Sequence, residues 1–269
     1  MLKFAMLMGG RRLAYRDSGH GPALVMLHGW GHSSVAFERV RDCWNGPGRL
    51  LAPDLPGHGH SGPGRGYELP LVAQDLLEWL DELNVQDLVL LGWSFGGQLA
   101  LEMVRHLGGR MRALLLVAST PCFVQKDCWA AGQPVGRLRL LERQLRRDFL
   151  GGLERFFRSQ FQGETLANDL LEGLWSEQLR RADPPREDAT LAGLRMLAGN
   201  DWRTSLPVPA CPVLVQHGAE DVVIPVAAGR FLAERLPGSR LELWSGCGHA
   251  PMLSRPQSCA RLWQEYLVE

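Results

Sequence analysis

Residues 88–97 read Leu-Val-Leu-Leu-Gly-Trp-Ser-Phe-Gly-Gly, an apolar run that breaks at a glycine-flanked serine and then continues into the amphipathic stretch 98–106. The apolar run predicts a buried strand, and the stretch after it predicts a helix. So few residues separate the two that the turn between them must be sharp. A side chain at position 92 or 96 would crowd such a turn, and the turn lifts the Ser94 hydroxyl clear of the sheet. The G-x-S-x-G pattern thus commits the chain to a strand–turn–helix unit and makes Ser94 a candidate nucleophile. In a chain with 31 glycines the pattern can also arise by chance, so its context has to decide.

That context repeats the same unit. Apolar runs at 23–27, 50–53, 88–91, 113–118, 213–216 and 241–244 predict strands, and the stretches 35–44, 71–83, 98–107, 226–236 and 256–267 predict helices. Nearly continuous apolar strands separated by helices predict an α/β fold, with a mostly parallel central sheet covered on both faces. Segments 4–8 and 12–16, joined at Gly9-Gly10, predict an antiparallel hairpin ahead of it. From 121 to 201 the rhythm changes to arginine-bearing helical stretches, including 137–149, 153–161 and 166–179. An all-helical insertion there reads as a lid over the carboxyl edge of the sheet, where open α/β sheets place ligands. The expected division is a core of 1–120 and 202–269 with a helical lid at 121–201.

Composition removes several function classes. Lysine plus arginine number 29 against 29 aspartates plus glutamates, so no global field recruits nucleic acid or an anionic membrane, and neither is expected as a partner. No window approaches the roughly 18 apolar residues of a membrane span. The apolar part of 1–15 is too short for a signal-peptide core, which leaves the cytoplasm as the expected location. Six cysteines without C-x-x-C spacing read as reduced thiols, mostly buried. The histidines of the loop 54–62 have no matching carboxylate or cysteine cluster, so it reads as a tight turn rather than a metal site. No G-x-G-x-x-G joins a strand to a helix, and no cofactor is expected. The expected state is a monomer.

A serine hydroxyl is a weak nucleophile at neutral pH and needs a base, which in turn needs an orienting acid. The strand at 213–216 ends in His217-Gly218-Ala219-Glu220-Asp221, and the strand at 241–244 ends in Ser245-Gly246-Cys247-Gly248-His249. Asp221 and His249 therefore fall on loops at the carboxyl edge, on the same side as Ser94. The order Ser94, Asp221, His249 is that of one serine-hydrolase architecture and of no other in common use. His249 is assigned as base and Asp221 as its orienting acid, with Glu220 read as a solvated neighbour and His217 and His28 as structural histidines. A tetrahedral intermediate also needs backbone donors. Phe95 N–H, next after the nucleophile, is one, and Trp30 N–H in Leu27-His28-Gly29-Trp30-Gly31 is the other. The Trp30 indole is assigned to the pocket wall in preference to core packing.

Taken together, these residues resemble the α/β-hydrolase superfamily over nearly the whole chain. A narrower resemblance rests on Leu27 to Gly31, on Leu91 to Gly97, and on Ala118-Ser119-Thr120-Pro121-Cys122-Phe123 followed by Asp127 and Trp129. It extends to the Leu153-Glu154-Arg155-Phe156-Phe157 helix and to Asp201-Trp202-Arg203. These segments are similar to the family of pimeloyl-acyl carrier protein methyl ester carboxylesterases of biotin synthesis. The resemblance implies hydrolysis of a carrier-bound methyl ester to methanol and pimeloyl-acyl carrier protein. Carried over by position, Trp30, Ser94 and Phe95 line the acyl and oxyanion site, Phe156, Phe157, Arg158, Ser159 and Gln160 form the lid face, and His249 lies beside the scissile ester. For Phe156 and Phe157 a core-packing role stays open. A general short-chain carboxylesterase, a carbon–carbon hydrolase or a perhydrolase would use the same triad, and a non-catalytic ligand-binding shell would not need it.

Acyl carrier proteins are acidic, so the implied partner directs attention to the arginines of the insertion. Between 137 and 158 stand seven arginines, among them Arg143, Arg146, Arg147 and Arg155, against Glu142, Asp148 and Glu154. A local basic face can steer an acidic partner on a neutral protein, although a solvated helix face has the same composition. Where that family tends to carry basic residues, this chain has Gly151-Gly152 and Asn168-Asp169. Docking contacts would then be redistributed, onto Arg146 and Arg147 in particular.

Overall fold

The computed structural model describes residues 1–268. Its strands are β1 (Leu2–Leu7), β2 (Arg11–His20), β3 (Ala23–Leu27), β4 (Gly48–Pro53), β5 (Leu88–Trp93), β6 (Met111–Val117), β7 (Val213–Gly218) and β8 (Arg240–Trp244). They form one sheet in the order β1-β2-β4-β3-β5-β6-β7-β8. β2 runs antiparallel to both β1 and β4, and all the other neighbours are parallel. The expected hairpin is present, with Leu7 opposite Arg11 and with Gly9 and Gly10 at φ of 75° and 74°, a conformation that glycine adopts at no steric cost.

The helices are α1 (Glu38–Asp42), α2 (Leu69–Glu82), α3 (Phe95–Leu107), α4 (Val135–Arg147), α5 (Phe149–Ser159), α6 (Asn168–Arg181), α7 (Glu187–Gly199), α8 (Val226–Arg235), α9 (Pro251–Ser254) and α10 (Pro256–Val268). Alternation along the strands divides the interior into two cores. Val25, Leu90, Leu114 and Val215 point to the face covered by α2, α3 and α8. Leu24, Val89, Leu115 and Leu214 point to the face covered by α1, α9 and α10, where Trp263 is fully buried. A sheet apolar on both faces needs both layers, which is why the strands read as continuous apolar runs.

Most element ends shift by one to four residues from expectation, and two differences have a visible cause. The helix expected at 35–44 is split into a 3-10 turn, Ser34–Phe37, and the short α1. The turn is pinned by side chains, since Val35 N–H donates to the Ser33 hydroxyl and Ser34 N–H to the Asp54 carboxylate. β6 ends at Val117, because Ala118 adopts a φ of 45° and leaves the sheet. Between β6 and β7 the described residues form α4 to α7 and no strand of the sheet; α7 has no counterpart among the three stretches singled out from sequence. All six cysteines are unpaired thiols; three of them, Cys122, Cys247 and Cys259, are buried, fewer than the composition suggests.

Candidate active site

The turn between β5 and α3 closes because its glycines leave room for backbone. A Cβ on Gly92 would run into the Gly96 carbonyl, and one on Gly96 into the Leu27 carbonyl on β3. Ser94 itself takes φ 56° and ψ −117°, a region that costs a non-glycine residue about 1–3 kcal/mol and persists only where the surroundings enforce it. Its N–H donates to Val117 O at the end of β6, and Ser119 Oγ donates back to Ser94 O. The neighbouring strand therefore supplies part of that enforcement.

The structure brings Ser94, His249 and Asp221 into one line. Ser94 Oγ lies 2.9 Å from His249 Nε2, and His249 Nδ1 lies 2.8 Å from Asp221 Oδ2. Asp221 Oδ1 accepts from Val223 and Ile224 N–H, both at 2.8 Å. Burial by itself opposes the charge on Asp221, but the His249 and His217 rings outweigh it and hold the carboxyl well below its usual range. His217 Nε2 is 2.8 Å from Ile224 O and 3.3 Å from Asp221 Oδ2. Because His217 Nδ1 is buried with no partner among the described residues, the ring proton belongs on Nε2, where Ile224 O accepts it and Asp221 Oδ2 lies alongside.

Two free backbone N–H groups are the candidate oxyanion donors. Phe95 is the first residue of α3, and neither Phe95 N–H nor Trp30 N–H finds an acceptor among the described residues. A helix N-terminus leaves its first N–H groups free and attracts negative charge. Gly29 lets the Trp30 loop approach the nucleophile, since a Cβ there would come within 3.3 Å of Ser94 Cβ. His28 is held neutral by burial and accepts Leu55 N–H at Nε2, a structural role. His32 is likewise held neutral, with burial pushing it down to about 3. Burial pushes the Cys247 thiol up to about 12, which leaves it a packing residue.

Ser94 opens into a cavity of about 340 Å³ between the sheet edge and the inserted helices. Of the residues assigned from sequence, Trp30, Phe156, Ser159 and Arg155 line it. The Trp30 indole donates to Thr190 O on α7 and stacks edge-on with Phe156 at 4.8 Å between centroids, so it packs and lines the cavity at once. Phe95 and His249, also assigned to the substrate from sequence, do not line the cavity.

Three assignments on the lid also need correction. Phe157 is fully buried against His32, Phe161 and Trp175, on the side of α5 away from the cavity. Arg158 pairs with Glu154 at 2.8 Å, one helical turn back. The Gln160 side-chain N–H donates to His32 Nε2, and the Gln160 backbone carbonyl accepts His249 N–H, so the residue holds others in place and does not line the cavity. On one helix the cavity face and the core face are both apolar, and adjacent residues point about 100° apart. Sequence reading also missed Phe123, Leu138, Leu141, Leu194, Leu197 and Val223 in the wall. The apolar spacing of 138, 141 and 145 on α4 was the available signal, and it has the same form as core packing.

A model of the alpha/beta hydrolase family matches residues 24–262. The chain is 37% identical to the pimeloyl-acyl-carrier protein methyl ester esterase of Nitrosomonas europaea over 89% of its own length and 93% of the relative's. It is 34% identical to the same-named protein of Aromatoleum aromaticum, over 91% and 97% respectively. Among solved structures, an esterase of Exiguobacterium antarcticum superposes with a TM-score of 0.91 over the whole of both chains at 26% identity. A bromoperoxidase of Bacillus anthracis reaches 0.89 over 99% of this chain and 100% of its own, at 21% identity, a likeness of fold alone. The chain belongs to the alpha/beta hydrolase family and, within it, to the family of the pimeloyl-acyl-carrier protein methyl ester esterases.

Proposed function

We propose that the chain hydrolyses the methyl ester of pimeloyl-acyl carrier protein to pimeloyl-acyl carrier protein and methanol, a step of biotin synthesis. The chain is a carboxylic ester hydrolase, and the observation that carries the mechanism is the hydroxyl of Ser94, 2.9 Å from His249 Nε2 at the floor of an apolar cavity. Ser94 Oγ attacks the ester carbonyl as His249 Nε2 takes its proton, and Asp221 stabilises the imidazolium. The oxyanion is met by Trp30 N–H and Phe95 N–H. Collapse expels the methoxy group, which leaves as methanol with the proton from His249. Water, deprotonated by the same ring, then attacks the acyl-enzyme and frees the carboxylate and Ser94. The apolar wall accommodates the methylene chain while its far end stays on the carrier.

In this reading residues 121–201 are a lid and its α4 is the docking face. Arg139, Arg143 and Arg147 are exposed and spaced by four, so they share one stripe of α4. Arg146 is drawn to Glu142 at 2.8 Å, and Arg155 toward Asp148 at 3.5 Å while also lining the cavity. Arg143 and Arg147 therefore give the cleaner test. The pair Arg143→Glu with Arg147→Glu is expected to lower kcat/KM for the carrier-linked ester about tenfold or more, chiefly through slower association. Turnover of dimethyl pimelate should stay within about twofold, because neither residue lines the cavity. Methanol release measured on both esters checks this. Equal loss on both would remove α4 as the docking face, and no preference of the unmodified protein for the carrier-linked ester would leave a general esterase.

A further inference from the structure

The loop that carries His249 is anchored from three sides. Arg255 Nη2 donates to Ser245 O and Gly246 O, and the Trp93 indole N–H donates to His249 O at 2.8 Å. The third anchor comes from the segment that follows α5. There Gln160 O accepts His249 N–H, and Glu164 Oε1 accepts Gly248 N–H, each at 2.8 Å. A Cβ on Gly248 would come within 2.5 Å of Gln160 O and 2.8 Å of Glu164 Oε1, so the glycine next to the base is what lets this segment sit against it. The same segment touches the acid loop, where a Cβ on Gly163 would come within 2.9 Å of Glu220 Cβ. α5 itself presents Arg155, Phe156 and Ser159 to the cavity.

We propose that Glu164 is a positioning residue: by accepting Gly248 N–H, its side-chain oxygen fixes the loop that presents His249 to Ser94 and ties that loop to the end of α5. The inference rests on Ser94 and His249 as the reacting pair. Glu164 is half-buried, lines no part of the cavity and touches no reacting atom. Its effect passes entirely through the placement of the base. Transfer of the Ser94 proton depends on a hydrogen bond whose geometry tolerates little error, and a misplacement of about 1 Å can cost about a hundredfold in rate.

Length of reach and charge can be separated at this position. Glu164→Gln keeps an acceptor oxygen at the same distance and removes the charge, whereas Glu164→Asp keeps the charge and falls one methylene short of Gly248 N–H. With dimethyl pimelate, Glu164→Gln is expected to retain at least about half of kcat, and Glu164→Asp to lose about tenfold or more with KM within about twofold. The rate of fluorophosphonate labelling at Ser94 should fall in the same order. Gln low with Asp high would assign the effect to charge, and equal behaviour of the two, whether high or low, would remove the positioning role; each overturns the proposal. Failure of the unmodified protein to label at Ser94 would instead overturn the triad on which it rests.

Discussion

Ser94→Ala protein is expected to fold as the unmodified chain does and to release methanol about 10⁵-fold or more slowly. Alanine keeps the Cβ and the elbow conformation, and Ser94 N–H and O keep their bonds to β6 and Ser119. What is lost is the oxygen that sits 2.9 Å from His249 Nε2 and faces the cavity. Binding and the oxyanion donors remain and leave some residual rate, as in other serine hydrolases. Methanol release, fluorophosphonate labelling and thermal unfolding measured together check the result. Turnover within about tenfold of the unmodified protein, in a folded variant, would remove Ser94 as nucleophile.

Asp221→Asn should lower kcat by about 10³- to 10⁴-fold with little effect on stability or KM, and the surroundings of the carboxylate say why. Asp221 Oδ1 accepts two backbone N–H groups, which an asparagine oxygen can still serve. The amide nitrogen then falls at the place of Oδ2, facing both His249 Nδ1 and His217 Nε2. The His249 Nδ1–H cannot donate to an NH₂ group, so His249 shifts its proton to Nε2. That tautomer cannot accept the Ser94 proton. Asp221→Ala would also strip Val223 N–H and Ile224 N–H of their acceptor, so Asn is the sharper substitution. A folded Asp221→Asn protein with kcat within tenfold of the original would show that the acid lies elsewhere. The pH profile of its residual activity would show whether the base still titrates.

The parts of the site that were legible from sequence are those carried by local rules. Gly92, Ser94 and Gly96 announce a turn because only glycine fits where strand, turn and helix nearly touch. Asp221 and His249 could be placed because each follows an apolar run by a few residues, and in a parallel sheet all such positions fall on one edge. The resemblance to a known family supplied the substrate class, which no spacing contains. The wall of the cavity was read with mixed success. Phe156 and Phe157 are neighbours of equal hydrophobicity, yet one lines the cavity beside Trp30 and the other sits in the core against Trp175.

The amino-acid sequence alone determined the sheet with its helices on both faces, the hairpin, the elbow, and which three side chains meet, because periodicity and turn chemistry act over a few residues. Tertiary structure decided what each face of the inserted helices touches. It also decided that Gln160 and Glu164 grip the His249 loop, and that the His217 ring lies 3.3 Å from the Asp221 carboxylate. Gln160 and Glu164 contact residues more than 80 positions away, and a single polar residue on a loop has no period to reveal its partner. His217 stands only four residues from Asp221, but a strand end and a turn can aim its ring either way. Packing of the whole chain sets that direction.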